Sequence, residues 1–164
     1  MLISDKLIAE INKQIGRELG ASNQYLSIAA YFDAETLPEL ASFFYRQSVE
    51  ESEHALKFAK FIVEAGGRVA VPAVEAARAD IGSAEAAVKL SVDWEMEVTR
   101  QINALLDLAL QEKDRLAMGI LNWFVAEQLE EVSSMEALLS VVRRAGPSGL
   151  LFVEDYLARR SAKS

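Results

Sequence analysis

The scarcity of helix breakers is the feature that most constrains what this chain can fold into. Its 164 residues include only 3 prolines and 8 glycines, and most of these fall at a few boundaries. Between the boundaries, apolar residues recur every three or four positions, which is the period of an amphipathic helix. Helices of this length are unstable unless they pack against one another. The pattern therefore predicts an all-α bundle.

Side chains suited to helix capping mark the expected helix starts. Ser4, Ser83 and Ser148 are candidate N-caps, and Thr36 to Glu39 has the form of a capping box with an early proline. The pairs Gly66-Gly67 and Gly146-Pro147 are expected stops. We expect helices over about residues 4–32, 36–66, 83–112, 115–145 and 148–160.

The connections between these helices predict their directions. Short turns join the first helix to the second and the third to the fourth, so each pair should be antiparallel. The stretch from Arg68 to about Gly82 contains Pro72 and has weak periodicity, so we expect a long crossover that makes the second and third helices parallel. The predicted fold is a single domain over residues 1–164. It consists of an antiparallel four-helix bundle at about 5–145, with one long crossover, and a short fifth C-terminal helix at about 148–160.

Composition excludes several classes of function. The chain has no cysteine, so disulfides and thiolate metal sites are excluded and a reducing cytoplasm is expected. Its net charge of −8 repels nucleic acid phosphates. No apolar run reaches the length of a membrane span, and residues 1–6 lack the features of a signal peptide. We therefore expect a cytoplasmic protein with neither nucleic acid nor membrane as a partner.

Each long helix carries a seam that is apolar at both ends and acidic near the middle. The first two seams are Ile8, Ile11, Ile15, Glu18, Ser22, Tyr25, Ala29, Phe32 and Leu40, Phe44, Gln47, Glu51, His54, Phe58, Phe61, Ala65. The third is Val88, Ser91, Glu95, Val98, Ile102, Leu105, Ala109. The fourth allows two registers, Ile120, Phe124, Glu127, Glu131, Ser134, Leu138, Val141 or Leu121, Phe124, Gln128, Glu131, Met135, Leu138, Val142.

The acidic positions of the seams also match in height. Glu18 and Glu51 are nearly symmetric about the first short turn, and Glu95 and Glu131 about the second. Burying an unpaired carboxylate costs several kcal/mol, and the seams hold no lysine or arginine to offset that cost. A bound pair of metal ions is the expected partner. Oxygen ligands with one nitrogen and no sulfur suit iron or manganese, and also zinc.

Glu51 and His54 are three residues apart, so both side chains can reach one ion from a single helix face. Di-iron carboxylate bundles carry two such Glu-x-x-His pairs. This chain has one, since His54 is its only histidine, and Gln128 and Glu131 take the place of the second pair. Tyr25 lies two turns after Glu18 and should face the same site, where it is either functional or a core aromatic with a satisfied hydroxyl.

Several stretches resemble the non-haem ferritins of prokaryotes, members of the ferritin-like di-iron carboxylate family. They are residues 14–31 (QIGRELGASNQYLSIAAY), 50–55 (EESEHA), 94–95 (WE) and 122–131 (NWFVAEQLEE). The resemblance extends from Leu7 to about Arg160. It implies iron storage and detoxification, with ferroxidase oxidation of Fe(II) by O2 or H2O2. It also implies a hollow homo-oligomeric cage of about 24 subunits in which iron mineralises.

The resemblance further implies which residues bind iron. Glu18, Glu51 and His54 are the implied ligands of a first ion. Glu51 as a bridge, with Glu95 and Glu131, is the implied set for a second ion. The resemblance also implies that iron is a substrate that passes through the protein.

Other implied roles surround this pair. Gln128 is placed beside the second ion, and Tyr25 close enough to supply an electron. Prokaryotic ferritins often add a third acidic site, and Glu50, Glu127 and Glu130 match its pattern, although acids beside a seam are also commonly solvated.

A second histidine and a haem-ligating methionine distinguish the bacterioferritins. Glu131 and Ser52 occupy those positions here, so no haem is predicted. Three alternatives stay open at this point: an oxidase or peroxidase of the rubrerythrin type, a DNA-protecting mini-ferritin, and a metal-free bundle whose buried acids are protonated. The absence of a cysteine-rich module disfavours the first, and a tail with only Arg159, Arg160 and Lys163 as cations disfavours the second.

Overall fold

The computed structural model describes residues 1–162, so Lys163 and Ser164 lie outside the described residues. The described chain forms a short 3₁₀ turn, no strand and five α-helices: α1 Asp5–Ala34, α2 Pro38–Glu64, α3 Ala84–Glu112, α4 Arg115–Ala145 and α5 Leu150–Ser161. α1 packs along α2, α3 along α4, and α1 against α3. The predicted fold class is confirmed. None of these helices combines the length and apolar composition that a membrane crossing requires.

The long connection between α2 and α3 runs along α1. Near its start, Asn12 donates to the carbonyl of Arg68 and accepts from the N–H of Ala70, at 3.3 and 3.0 Å. Farther along α1, Gln24 donates to the carbonyl of Arg78 and accepts from its N–H, at 3.1 and 2.8 Å. The connection therefore returns the chain to the end of the bundle where α2 begins. This return makes α2 and α3 parallel.

Gly16 lies where this connection touches α1. A Cβ on Gly16 would be 2.3 Å from Pro72 Cγ, whereas a Cβ on Gly119, inside α4, would have nothing within 4 Å. Gly16→Ala should therefore lower the free energy of unfolding by about 1–3 kcal/mol, because the connection must shift. Gly119→Ala should raise it by about 0.5–1 kcal/mol through helix propensity. Chemical denaturation checks both signs, and a stabilised Gly16→Ala protein would contradict this packing.

Two of the three predicted serine caps are confirmed. Ser4 caps α1 and Ser83 caps α3, each accepting a backbone N–H at 3.1 Å. The cap predicted at Ser148 is wrong, because this residue lies inside the 3₁₀ turn Pro147–Gly149 and α5 begins at Leu150 without a side-chain cap.

The capping box predicted at Thr36 is also wrong. Thr36 adopts φ 60°, and α2 begins after Leu37, which makes no capping bond. The carboxylate of Glu154 on α5 takes that role by accepting the N–H groups of Glu39 and Leu40, at 2.7 and 2.9 Å. A tertiary contact thus replaces the local cap, and it ties α5 to the amino end of α2.

Two apolar clusters fill the ends of the bundle and leave the acidic positions between them. The predicted seams of α1 and α3 are buried, and in α4 the register containing Leu121 and Gln128 is the buried one. In α2, Ser48 and Ile62 are buried where the sequence predicted Gln47 and Phe61. The predicted seam followed a strict heptad, whereas the buried face of an α-helix follows 3.6 residues per turn and drifts from it. Ser48 therefore faces α1 in place of Gln47.

Candidate metal centre

Four glutamates and one histidine from all four long helices meet between the two apolar clusters. They are Glu18 on α1, Glu51 and His54 on α2, Glu95 on α3 and Glu131 on α4. All are buried, and the most accessible, Glu131, is 5% exposed. The two hairpins therefore place their acids at one level of the bundle.

The ligand atoms of these residues form two overlapping groups. Atoms of Glu18, Glu51 and His54 lie within 4.8 Å of one another, and so do atoms of Glu51, Glu95 and Glu131. Both groups are buried. Because Glu51 belongs to both, its two oxygens can face two different ions. The structure thus brings together every residue of the two predicted ligand sets.

Several carboxylate oxygens in this cluster lack hydrogen-bond partners. Within residues 1–162, Glu18 Oε2, Glu51 Oε1 and both oxygens of Glu131 are buried and unpartnered. An unpartnered buried polar group costs about 1–3 kcal/mol, and more when it is charged. Cations in the cluster would supply the missing partners, so the residues present fit a metal pair.

Burial raises the pKa of all four glutamates. The pKa of Glu18 rises to about 7, with the Gln14 hydrogen bond opposing burial. The pKa of Glu131 rises to about 10 through burial and then the charges of Glu95 and Glu18. The pKa of Glu51 lies well above its usual range for the same kinds of reason, and burial raises that of Glu95 against the hydrogen bond from Tyr25. Metal ions entering near neutral pH must therefore displace protons.

His54 belongs to the first ligand group and also lies close to Glu131 of the second. Its Nδ1 is 3.3 Å from Glu51 Oε2 and 3.6 Å from Glu131 Oε1, and its Nε2 is 4.0 Å from Glu127 Oε2. Burial, followed by the positive charge of Lys57, lowers the pKa of His54 to about 4. The imidazole is therefore neutral at pH 7, which leaves a nitrogen lone pair available to an ion.

Tyr25 and Gln128 both lie against Glu95. The Tyr25 hydroxyl donates to Glu95 Oε1, and burial raises the pKa of Tyr25 well above its usual value, so the phenol stays protonated. Gln128 Nε2 donates to Glu95 Oε2 at 3.1 Å and to Thr99 Oγ1 at 3.2 Å. The two residues therefore orient the carboxylate of the histidine-free group.

The three acids predicted for a third site lie on the more accessible side of His54. Glu50 and Glu127 are half-buried and Glu130 is exposed. Burial and then the charges of Glu127 and Glu130 raise the pKa of Glu50. Among the described residues, however, the metal-ligand group that contains Glu50 is completed by His54 and Glu131. It is not completed by Glu127 and Glu130. The third site stays a prediction.

Sequence reasoning missed two polar residues that hold the ligands. Gln14 is fully buried and donates to Glu18 Oε1 at 2.8 Å. Thr99 donates to the carbonyl of Glu95 at 2.8 Å and accepts from Gln128. Gln14 and Thr99 are each four residues from a ligand on its own helix, and that spacing is the signal that could have identified them.

The chain is similar to known ferritins in both sequence and fold. A family model described as a ferritin-like domain matches residues 8–145. The chain is 37% identical over 157 residues to ferritin BfrB of Mycolicibacterium smegmatis, covering 96% of this chain and 86% of that protein. It is 33% identical over 159 residues to a bacterial non-heme ferritin of Bacteroides fragilis, covering 97% and 100%. An open pore ferritin from the hyperthermophilic archaeon Archaeoglobus fulgidus superimposes with a TM-score of 0.91 at 37% identity, over 94% of this chain and 96% of that chain. With its predicted ligands gathered in one buried cluster, the chain belongs to the ferritin family of iron-storage proteins.

Proposed function

We propose that this chain oxidises Fe(II) at the buried centre and stores the product as a ferric mineral inside a cage of identical subunits. One observation carries the proposal: two buried ligand groups share Glu51, and their carboxylates retain unpartnered oxygens. In the metal-free protein, protons can bridge these carboxyl groups, and two cations would take their place.

The reaction requires two iron ions at once. Each Fe(II) loses one electron, and the two electrons, with two protons, convert O2 to H2O2. H2O2 can also serve as the oxidant, since it accepts two further electrons to give water. Carboxylates favour Fe(III) over Fe(II), because the Coulomb attraction to an anion grows with the charge of the cation. The buried glutamates therefore lower the potential of the bound iron and promote its oxidation.

The centre is asymmetric, and the asymmetry suits a substrate that must leave. Glu18, Glu51 and His54 offer an imidazole nitrogen, whereas Glu51, Glu95 and Glu131 offer only oxygens. We infer that the second group holds iron less tightly. The acids Glu50, Glu127 and Glu130 continue from the centre toward solvent, and we propose them as a third site that iron visits on its way out.

The proposals of a cage and of a cytoplasmic location are based on family membership and on the sequence. We propose a homo-oligomer of about 24 subunits, working in the cytoplasm and without haem. The wild-type protein should then elute at the mass of such a cage, retain iron and lack a Soret band. A mass well below that of about 24 subunits would contradict the proposed cage, and a Soret band would favour a bacterioferritin.

The ferroxidase proposal is tested by adding Fe(II) anaerobically and then admitting air. The wild-type protein should develop ferric absorbance rapidly. The Glu51→Ala, His54→Ala double variant should be slower by about 100-fold or more, because even residues that only support a metal ligand cost 10–100-fold when changed. Glu53→Ala is the matched control, since Glu53 lies between the two ligands in sequence but is exposed. Equal rates in the double variant and the wild type would refute the site.

A further inference from the structure

Gln14 is one of two fully buried glutamines on α1, and both of its side-chain hydrogen bonds are made with charged side chains. Its Nε2 donates to Glu18 Oε1 at 2.8 Å, and its Oε1 accepts from Arg17 Nη1 at 3.1 Å. All three residues belong to α1. The amide therefore ties a partly exposed cation to a buried carboxylate on the same helix.

Arg17 determines which way this amide faces. A guanidinium can only donate hydrogen bonds, so the atom of Gln14 that it contacts must be the carbonyl oxygen. The NH2 group is then forced toward Glu18, where it donates to Oε1. If the amide were reversed, its oxygen would face a carboxylate and its NH2 would face a cation, and both contacts would be repulsive. Glu18 Oε2 is left buried and unpartnered.

We propose that Gln14 is a positioning residue for the first metal ion. It holds Glu18 by Oε1 and leaves Oε2 free to bind the ion together with Glu51 and His54. Arg17 supports this role by fixing the orientation of the amide. The inference rests on the proposed function, because it concerns the same centre.

Gln24 provides a control that distinguishes the positioning role of Gln14 from ordinary structural support. Gln24 is also a buried glutamine on α1, but its amide bonds to the backbone of Arg78 in the long connection. Removing the Gln24 amide should loosen a tertiary contact with the long connection, which contributes no metal ligand. Removing the Gln14 amide breaks bonds only within α1, so its effect should fall on Glu18 and on metal binding.

The test is anaerobic titration with Co(II), followed by calorimetry and visible absorption, on the assembled protein. Wild type should bind two Co(II) per chain at this centre. Gln14→Leu should weaken the first ion by about 10–100-fold, the usual cost of removing a residue that supports a metal ligand, and should change its visible bands. Arg17→Met should also weaken binding of the first ion, but by less than Gln14→Leu does, because the amide keeps its donor and loses only its fixed orientation. Gln24→Leu should keep the wild-type affinity and have a lower thermal midpoint.

The outcomes separate this inference from the proposed function. A wild-type protein that fails to bind two Co(II) would overturn the proposed function itself. A wild type that binds two, together with a Gln14→Leu protein of unchanged affinity and spectrum, would overturn only the role of Gln14. Should Gln14→Leu not fold, Arg17→Met decides, because Arg17 is partly exposed and belongs to neither apolar cluster. Unchanged Co(II) affinity in Arg17→Met would then overturn the inference.

Discussion

Glu51→Gln is expected to remove both metal ions from the centre, whereas Glu18→Gln and Glu95→Gln should each remove one. Glu51 is the residue common to the two ligand groups, Glu18 belongs only to the group with His54, and Glu95 only to the other. Glutamine keeps the size of glutamate and one oxygen donor but loses the negative charge. Each substitution should therefore weaken the binding of every ion that the carboxylate contacts.

Anaerobic equilibrium dialysis with Co(II) measures this pattern directly. The number of tightly bound ions per chain should fall from about two in wild type to near zero in Glu51→Gln, and to about one in each of the other variants, since oxygen-rich sites depend on ligand charge. Glu53→Gln, which changes an exposed acid on the same helix, should leave both ions bound. Retention of one tightly bound ion in Glu51→Gln would show that the two groups do not share this carboxylate.

The positions of the main ligands could be predicted because local rules determine them. A helical period places Glu18, Glu51, Glu95 and Glu131 on buried seams, and short turns set the heights of the acids within each hairpin. The common level of the two hairpins depends on how the connection of residues 65–83 lies along α1. That depends on tertiary contacts such as those between Gln24 and Arg78, which no local pattern reveals.

The errors at Thr36 and Gln47 share one physical cause, which is that distant contacts override local signals. Thr36 has the sequence of a cap, yet a carboxylate more than a hundred residues away, on Glu154, satisfies the first turn of α2. Ser48 replaces Gln47 in the buried seam because its hydroxyl bonds with Ser22 across the contact between α1 and α2. Gln14 is different, because its partners Arg17 and Glu18 lie three and four residues along the same helix, so local spacing could have identified it.

The metal-free protein should lose stability as the pH rises from 6.5 to 8.5. The pKa of Glu131 is about 10 and that of Glu18 about 7 in the folded chain, against 4.5 for an ordinary glutamate. Between these values the folded state holds protons that the unfolded state has released, so the free energy of unfolding falls as pH rises. His54 has the opposite sign, because its pKa is lowered from 6.5 to about 4. At pH 6.5 the unfolded histidine is still half protonated, so His54 adds stability as the pH rises further, but by less than about 1 kcal/mol, which is less than the glutamates remove.

Glu131 by itself should give the free energy of unfolding a measurable dependence on pH between 6.5 and 8.5. Two pH units correspond to about 3 kcal/mol, or a fall of roughly 5–10 °C in thermal midpoint for a chain of this size. Scanning calorimetry of the metal-free protein at pH 6.5, 7.5 and 8.5 measures the slope. Glu131→Gln should flatten it, because the amide does not titrate, and added Co(II) should reverse it, because metal binding replaces protons and tightens as pH rises. An equal slope in wild type and Glu131→Gln would mean that this carboxyl group ionises normally in the folded protein. The cluster would then have to be stabilised by partners other than protons or metal.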